Sequence, residues 1–86
     1  MKIREKLANE IGSETLFADG FDGAIIGYIE RFGLPKIVCY DKDKCIDILA
    51  KDMSYEDAVE YFYFNVIGSY VGENTPCFFS DIKEVL

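Results

Sequence analysis

The chain holds three cysteines (Cys39, Cys45 and Cys77), no histidine, and sixteen carboxylates against nine basic side chains. A thiol works as a nucleophile or soft-metal ligand once it is deprotonated, usually through a nearby base or cation. With no histidine and no CxxC pair, neither Cys–His catalysis nor a zinc site is expected. Glu56 and Glu60, one helical turn apart, form a carboxylate pair that does acid–base work only inside a cleft. Asp41-x-Asp43 opens like a cation loop, but its fifth position is Cys45 and no glycine follows, so helix capping is the better account. Asp19-Gly20 and Asp22-Gly23 lack oxygen ligands at alternating positions and read as turns. Gly27 and Gly33 have neither the spacing nor the lysine of a phosphate loop. No cofactor, metal or catalytic residue is therefore assigned.

The stretch Met53–Phe79 organises the rest. Ser54 is placed to cap a helix, with Asp57 three residues on completing a capping box. At about 100° per residue, Tyr55, Ala58, Val59, Phe62, Val66, Ser69 and Tyr70 share one side, the expected core stripe. Gly72 is the expected stop, and Pro76 bars a return to helix. Tyr61, Phe64 and Ile67 fall on the other side, beside Glu56, Asp57 and Glu60. A helix apolar on most of its surface is either sandwiched within its own fold or pressed against another chain. Asn65, at the margin of the stripe, reads as structural before functional.

The remaining elements must support that helix. Residues 2–11 read as a short amphipathic helix on Ile3, Leu7 and Ile11, which could dock on the outer face of the central helix. Residues 13–23 form a connection anchored by Leu16, Phe17 and Phe21. Residues 24–32 read as a strand with a helical competitor, and residues 36–40 as its antiparallel partner across Gly33-Leu34-Pro35. Residues 41–52 read as a second helix capped by Asp41 or Asp43, and 76–79 as a third strand that pairs with the hairpin. Residues 81–86 are left without assigned order. The expected fold is one α+β domain over 1–86, of order α-β-β-α-α-β, with a three-stranded, mostly antiparallel sheet packed on the central helix.

Eighty-six residues bury about 60–65% of their unfolded surface, so association with another chain would add useful stability. A net charge of −7 opposes general binding to nucleic acid or anionic membranes and suits a basic protein partner. Seven acids and three lysines between Asp41 and Glu60 concentrate a net −4 there. Such a run is usually a solvated helix face; a patch that steers a basic partner is the sharper reading. The odd cysteine count, the absence of an apolar leader and the lack of any long apolar run predict reduced thiols in a cytoplasm and no membrane span.

The phrase MSYEDAVEYFYFNVIGSYVGENTPCF, Met53–Phe78, with DGFDGAIIG (19–27) and VCYD (38–41), resembles a family of short uncharacterised proteins carried by bacteriophages and prophages. The resemblance covers about half of the chain and brings no activity or site residues. It implies life inside a bacterial host cell and, by analogy with other small acidic phage proteins, engagement or inhibition of a host protein such as a defence component. Together these observations predict a non-enzymatic binding module using Glu56, Asp57, Glu60, Tyr61, Phe64 and Ile67 as its partner-binding residues. A homodimer is a further use for the same surplus apolar surface. A nucleic-acid mimic is the alternative, though lysines interrupt its carboxylates; a small enzyme is the remaining one.

Overall fold

The computed structural model describes residues 3–86. Lys2, where the expected first helix begins, lies outside the described residues. Helix α1 spans Ile3–Ile11, and a single 3-10 turn, Asp22–Ala24, leads into β1, Ile25–Arg31. Strand β2, Leu34–Asp41, passes directly into α2, Lys42–Leu49. Helix α3, Tyr55–Tyr61, continues as a π-helical segment, Phe62–Ile67. Strand β3, Cys77–Phe79, and a 3-10 turn, Ile82–Val85, complete the α-β-β-α-α-β order.

The hairpin closes over Phe32-Gly33, with Arg31 opposite Leu34; Gly33 takes φ +75°, a left-handed value that glycine adopts without a Cβ penalty. The long β1–β2 ladder is antiparallel, with irregular steps between Ile25 and Gly27 and between Ile29 and Arg31. Strand β3 joins the other edge of β2 in parallel, so the sheet is mixed, in the order β1-β2-β3. The connection explains the direction: a helical crossover through α2 and α3 returns the chain to the same end of the sheet, as parallel pairing requires.

One face of the sheet carries the core. Val38 and Tyr40 of β2 are fully buried, and with them cluster Leu7 of α1, Phe21 and Ala24 before β1, Cys45 and Ile46 of α2, and Ala58 and Phe62. Three helices, rather than the central one alone, therefore share the cover. Helix α1 goes to the core through Leu7 and packs against β2, leaving the outer side of α3 exposed.

Both expected caps are formed. Asp41 accepts the Lys44 amide hydrogen at 2.9 Å, and Ser54 accepts that of Asp57 at 3.1 Å; the return bond from the Ser54 amide to the Asp57 carboxylate, which would complete the expected box, does not form. The central element is neither uniform nor as long as expected. It widens to π winding at Phe62 and stops at Gly68, four residues short of Gly72. At that end a Cβ on Gly68 would lie 2.6 Å from the Phe64 carbonyl oxygen, so any other residue there would force the backbone to shift. Ala58, Val59, Phe62 and Val66 face inward as the stripe requires, whereas Tyr55 at the first turn and Ser69 and Tyr70 past the last are exposed. Among the described residues no helix is long and apolar enough to cross a membrane.

Candidate functional site

Glu56, Asp57, Glu60, Tyr61, Phe64 and Ile67 are all exposed and lie on the side of the central element away from Ala58 and Phe62. Helical spacing sets them in a continuous run, Glu56 beside Glu60, Asp57 beside Tyr61, Glu60 beside Phe64, and Phe64 beside Ile67. Tyr61, Phe64 and Ile67 keep 45%, 75% and 43% of their surface in solvent, so three adjacent large side chains stay uncovered within the monomer. Scattered single apolar residues on a surface are ordinary; three on one helical side beside three carboxylates form a patch.

The acidic stretch divides in two. At its start, Asp41 is spent on capping α2, and Asp43 meets Glu84 of the C-terminal turn. Lys42 bridges to Glu84 at 3.1 Å and reaches the Tyr63 hydroxyl at 3.5 Å. The hydrogen bond shared with Glu84 raises the Asp43 pKa, and the same bond, with Lys42, lowers that of Glu84. Its far end is different. Among the described residues the ion pairs are Arg4 with Asp19 and Asp22, Lys36 with Glu30, and Lys42 with Glu84, so Glu56, Asp57 and Glu60 enter none of them. Their charge is directed to solvent beside the aromatic side chains.

Two of the thiols, Cys45 and Cys39, are poorly disposed for nucleophilic work near neutral pH. Burial pushes Cys45 up to about 12. Cys39 is pushed equally far, to about 12, first by burial and then by the facing Cys77 thiol. Both stay protonated near neutrality. Among the described residues no cluster of three metal-ligating side chains forms.

A shallow cleft of about 300 Å³ opens between the 16–19 loop, the inner side of the π segment and the approach to β3. Leu16, Phe17, Val66, Val71, Pro76 and Phe78 supply its apolar lining. Glu56 and Glu60 do not reach it, so the carboxylate pair lacks the enclosure that acid–base chemistry needs. Asn65, exposed rather than buried, lines its rim. Leu16, expected as a loop anchor, is also exposed, and Phe21 alone of the loop's three large side chains is buried.

Two features escaped the sequence reading. Arg4 gathers the 13–23 connection: its guanidinium donates to Asp22 at 2.7 Å, to Asp19 at 3.3 Å and to the Ala18 carbonyl at 3.4 Å, over the Phe17 ring. The two Asp-Gly turns thus spend their carboxylates on an arginine; an Arg among leading helical charges gives no hint of this. Tyr63, 48% exposed beside Lys42, is a further aromatic on the segment that carries the patch. One residue past Phe62, it lies about 100° round from the inward side, a signal that the helical period does carry.

Comparison with protein-family models, curated proteins and solved structures finds no match for the chain.

Proposed function

We propose that the protein is a small acidic binding module of phage type, and that the outer side of α3 and its π extension engages a basic host protein. The observation that carries this reading is the exposure of Tyr61, Phe64 and Ile67 next to the exposed carboxylates of Glu56, Asp57 and Glu60. Aromatic anchors inside a charged rim are the ordinary composition of a protein interface: the rings supply most of the affinity on desolvation, while the rim charges speed and orient encounter. The net charge of −7 selects a partner of opposite sign and disfavours phosphate backbones.

The test is capture from a bacterial lysate with the native chain and with a Tyr61→Ala/Phe64→Ala variant, each at low and high salt. The expected result is a specific basic protein held by the native chain, released by the double variant and weakened as salt shortens the Debye length below about 8–10 Å. Equal recovery by both chains would remove the patch from consideration. A second copy of the chain as the occupant would appear as a dimer mass in solution that the double variant abolishes.

A further inference from the structure

The parallel β2–β3 ladder aligns two pairs of like residues. Cys39 stands opposite Cys77, and Tyr40 stands opposite Phe78. Successive strand residues point to opposite faces. The Tyr40 and Phe78 rings, stacked 5.6 Å apart, mark the core side, so the two thiols share the other side. Directly opposed strand partners sit about 4.8 Å apart, which falls within the roughly 4.4–6.8 Å between Cα atoms that a disulfide spans. The Cys39 thiol donates weakly to the Tyr40 carbonyl at 3.9 Å, and its pKa is raised first by burial and then by the facing Cys77. Their access to solvent differs: Cys39 is 6% exposed, whereas Cys77 is half-buried. Cys45 is fully enclosed in the helical core and has no place in this ladder.

We propose that Cys39 and Cys77 are a redox modification site, forming a reversible intramolecular disulfide that fastens β3 to β2 when a low-molecular-weight disulfide is present. Cys77, the accessible partner, gives its proton to solvent and attacks one sulfur of the small disulfide. That S–S bond breaks, a mixed disulfide forms on Cys77, and one small thiolate leaves. Cys39 then gives up its proton and attacks the Cys77 sulfur, expelling the second small thiolate. Two electrons pass from the protein dithiol to the small disulfide, and excess reductant runs both exchanges backwards. The second step is the slower one, because buried Cys39 ionises with difficulty, and it accelerates with rising pH.

This site is independent of the acidic patch, so neither test bears on the other. The native protein is incubated with oxidised glutathione at mildly alkaline pH, quenched by alkylation in denaturant and analysed by intact mass and peptide mapping. The expected product has lost two hydrogens, yields a Cys39–Cys77 linked peptide and is alkylated once, at Cys45. Its melting temperature rises by several degrees, since a cross-link restricts the unfolded chain more than the folded one. Cys45→Ala gives the same link, and Cys39→Ser stops at a lasting glutathione adduct on Cys77. Linkage to Cys45, linkage between two chains, or a native Cys77 adduct that never resolves would overturn the proposal.

Discussion

The hydroxyl of Tyr40 accepts the amide hydrogen of Ala18 at 2.7 Å, joining the centre of the sheet to a connection 22 residues earlier. Tyr40 has no exposed surface, and its ring stacks on Phe78. One side chain therefore holds the 13–23 connection, β2 and β3 in register with one another. Tyr40→Phe keeps the ring and leaves the Ala18 amide without its acceptor. The expected loss is about 1–3 kcal/mol in urea denaturation, the cost of an unsatisfied part-buried donor, with an unchanged m-value. Full native stability in the variant would mean that another acceptor or water takes over.

Stability is expected to fall as the solution becomes alkaline, well before lysines titrate. Burial raises the pKa of Cys45 and of Cys39, each to about 12, and also raises that of Tyr40. The unfolded chain gives up these protons at ordinary values while the native state keeps them, so the native state binds more protons and stability declines with rising pH. The decline begins near pH 9, the ordinary thiol value, and continues toward 12. Chemical denaturation at pH 7 and pH 10 in the presence of reductant measures it, and Cys45→Ala removes part of the slope.

The Asp43–Glu84 contact gives a local titration with a definite sign. Asp43 is raised, chiefly by its hydrogen bond with Glu84 and then by desolvation. Glu84→Gln removes the second carboxylate, and the Asp43 pKa is expected to drop toward the ordinary aspartate range. Side-chain carboxyl NMR across acid pH reads it directly; an Asp43 value unmoved by the substitution would show that the two carboxyls do not share a proton.

Two phenylalanines two positions apart should behave as opposites. Phe62 is fully buried and packs edge-on against Phe78 at 5.3 Å, while Phe64 is 75% exposed. Phe62→Ala is expected to cost about 3–5 kcal/mol through the cavity it leaves. Phe64→Ala should stay within about 0.5 kcal/mol of the native stability. Thermal melts of both variants decide it, and the contrast ensures that lost binding in a Phe64 variant reflects the surface and not the fold.

Much of the architecture was legible because it is written locally. Asp41 and Ser54 are short polar residues just ahead of apolar-periodic segments, and the hairpin is marked by Gly33 between two β-rich runs. Helical phase set Tyr61, Phe64 and Ile67 apart from the core stripe, but it left open whether another part of the chain covers them; only the docking of α1 on β2 leaves them exposed. What was not legible depends on contacts distant in sequence or on a change of winding. The parallel direction of β3 follows from where the crossover returns the chain, and nothing in Cys77–Phe79 itself encodes direction. Tyr55 shares the phase of the stripe but sits in the first turn, where the chain does not cover it, and Ser69 and Tyr70 fall beyond the end of the helical element at Ile67. Arg4 meeting Asp19 and Asp22, and Cys39 meeting Cys77, arise only once the chain is folded.

The wide turn at Phe62–Ile67 also makes the chain's length there adjustable. In a π segment each amide reaches back five residues rather than four, so the segment holds a residue that an α-helix would not. Removing Phe64 would let the segment rewind as α-helix while keeping Val66 turned toward the core. The same deletion among Tyr55–Tyr61, where winding is already tight, would rotate Phe62 out of its socket. Tolerance of a missing residue is thus expected in one half of this element and refused in the other, a difference that soluble expression of the two deletion variants would display.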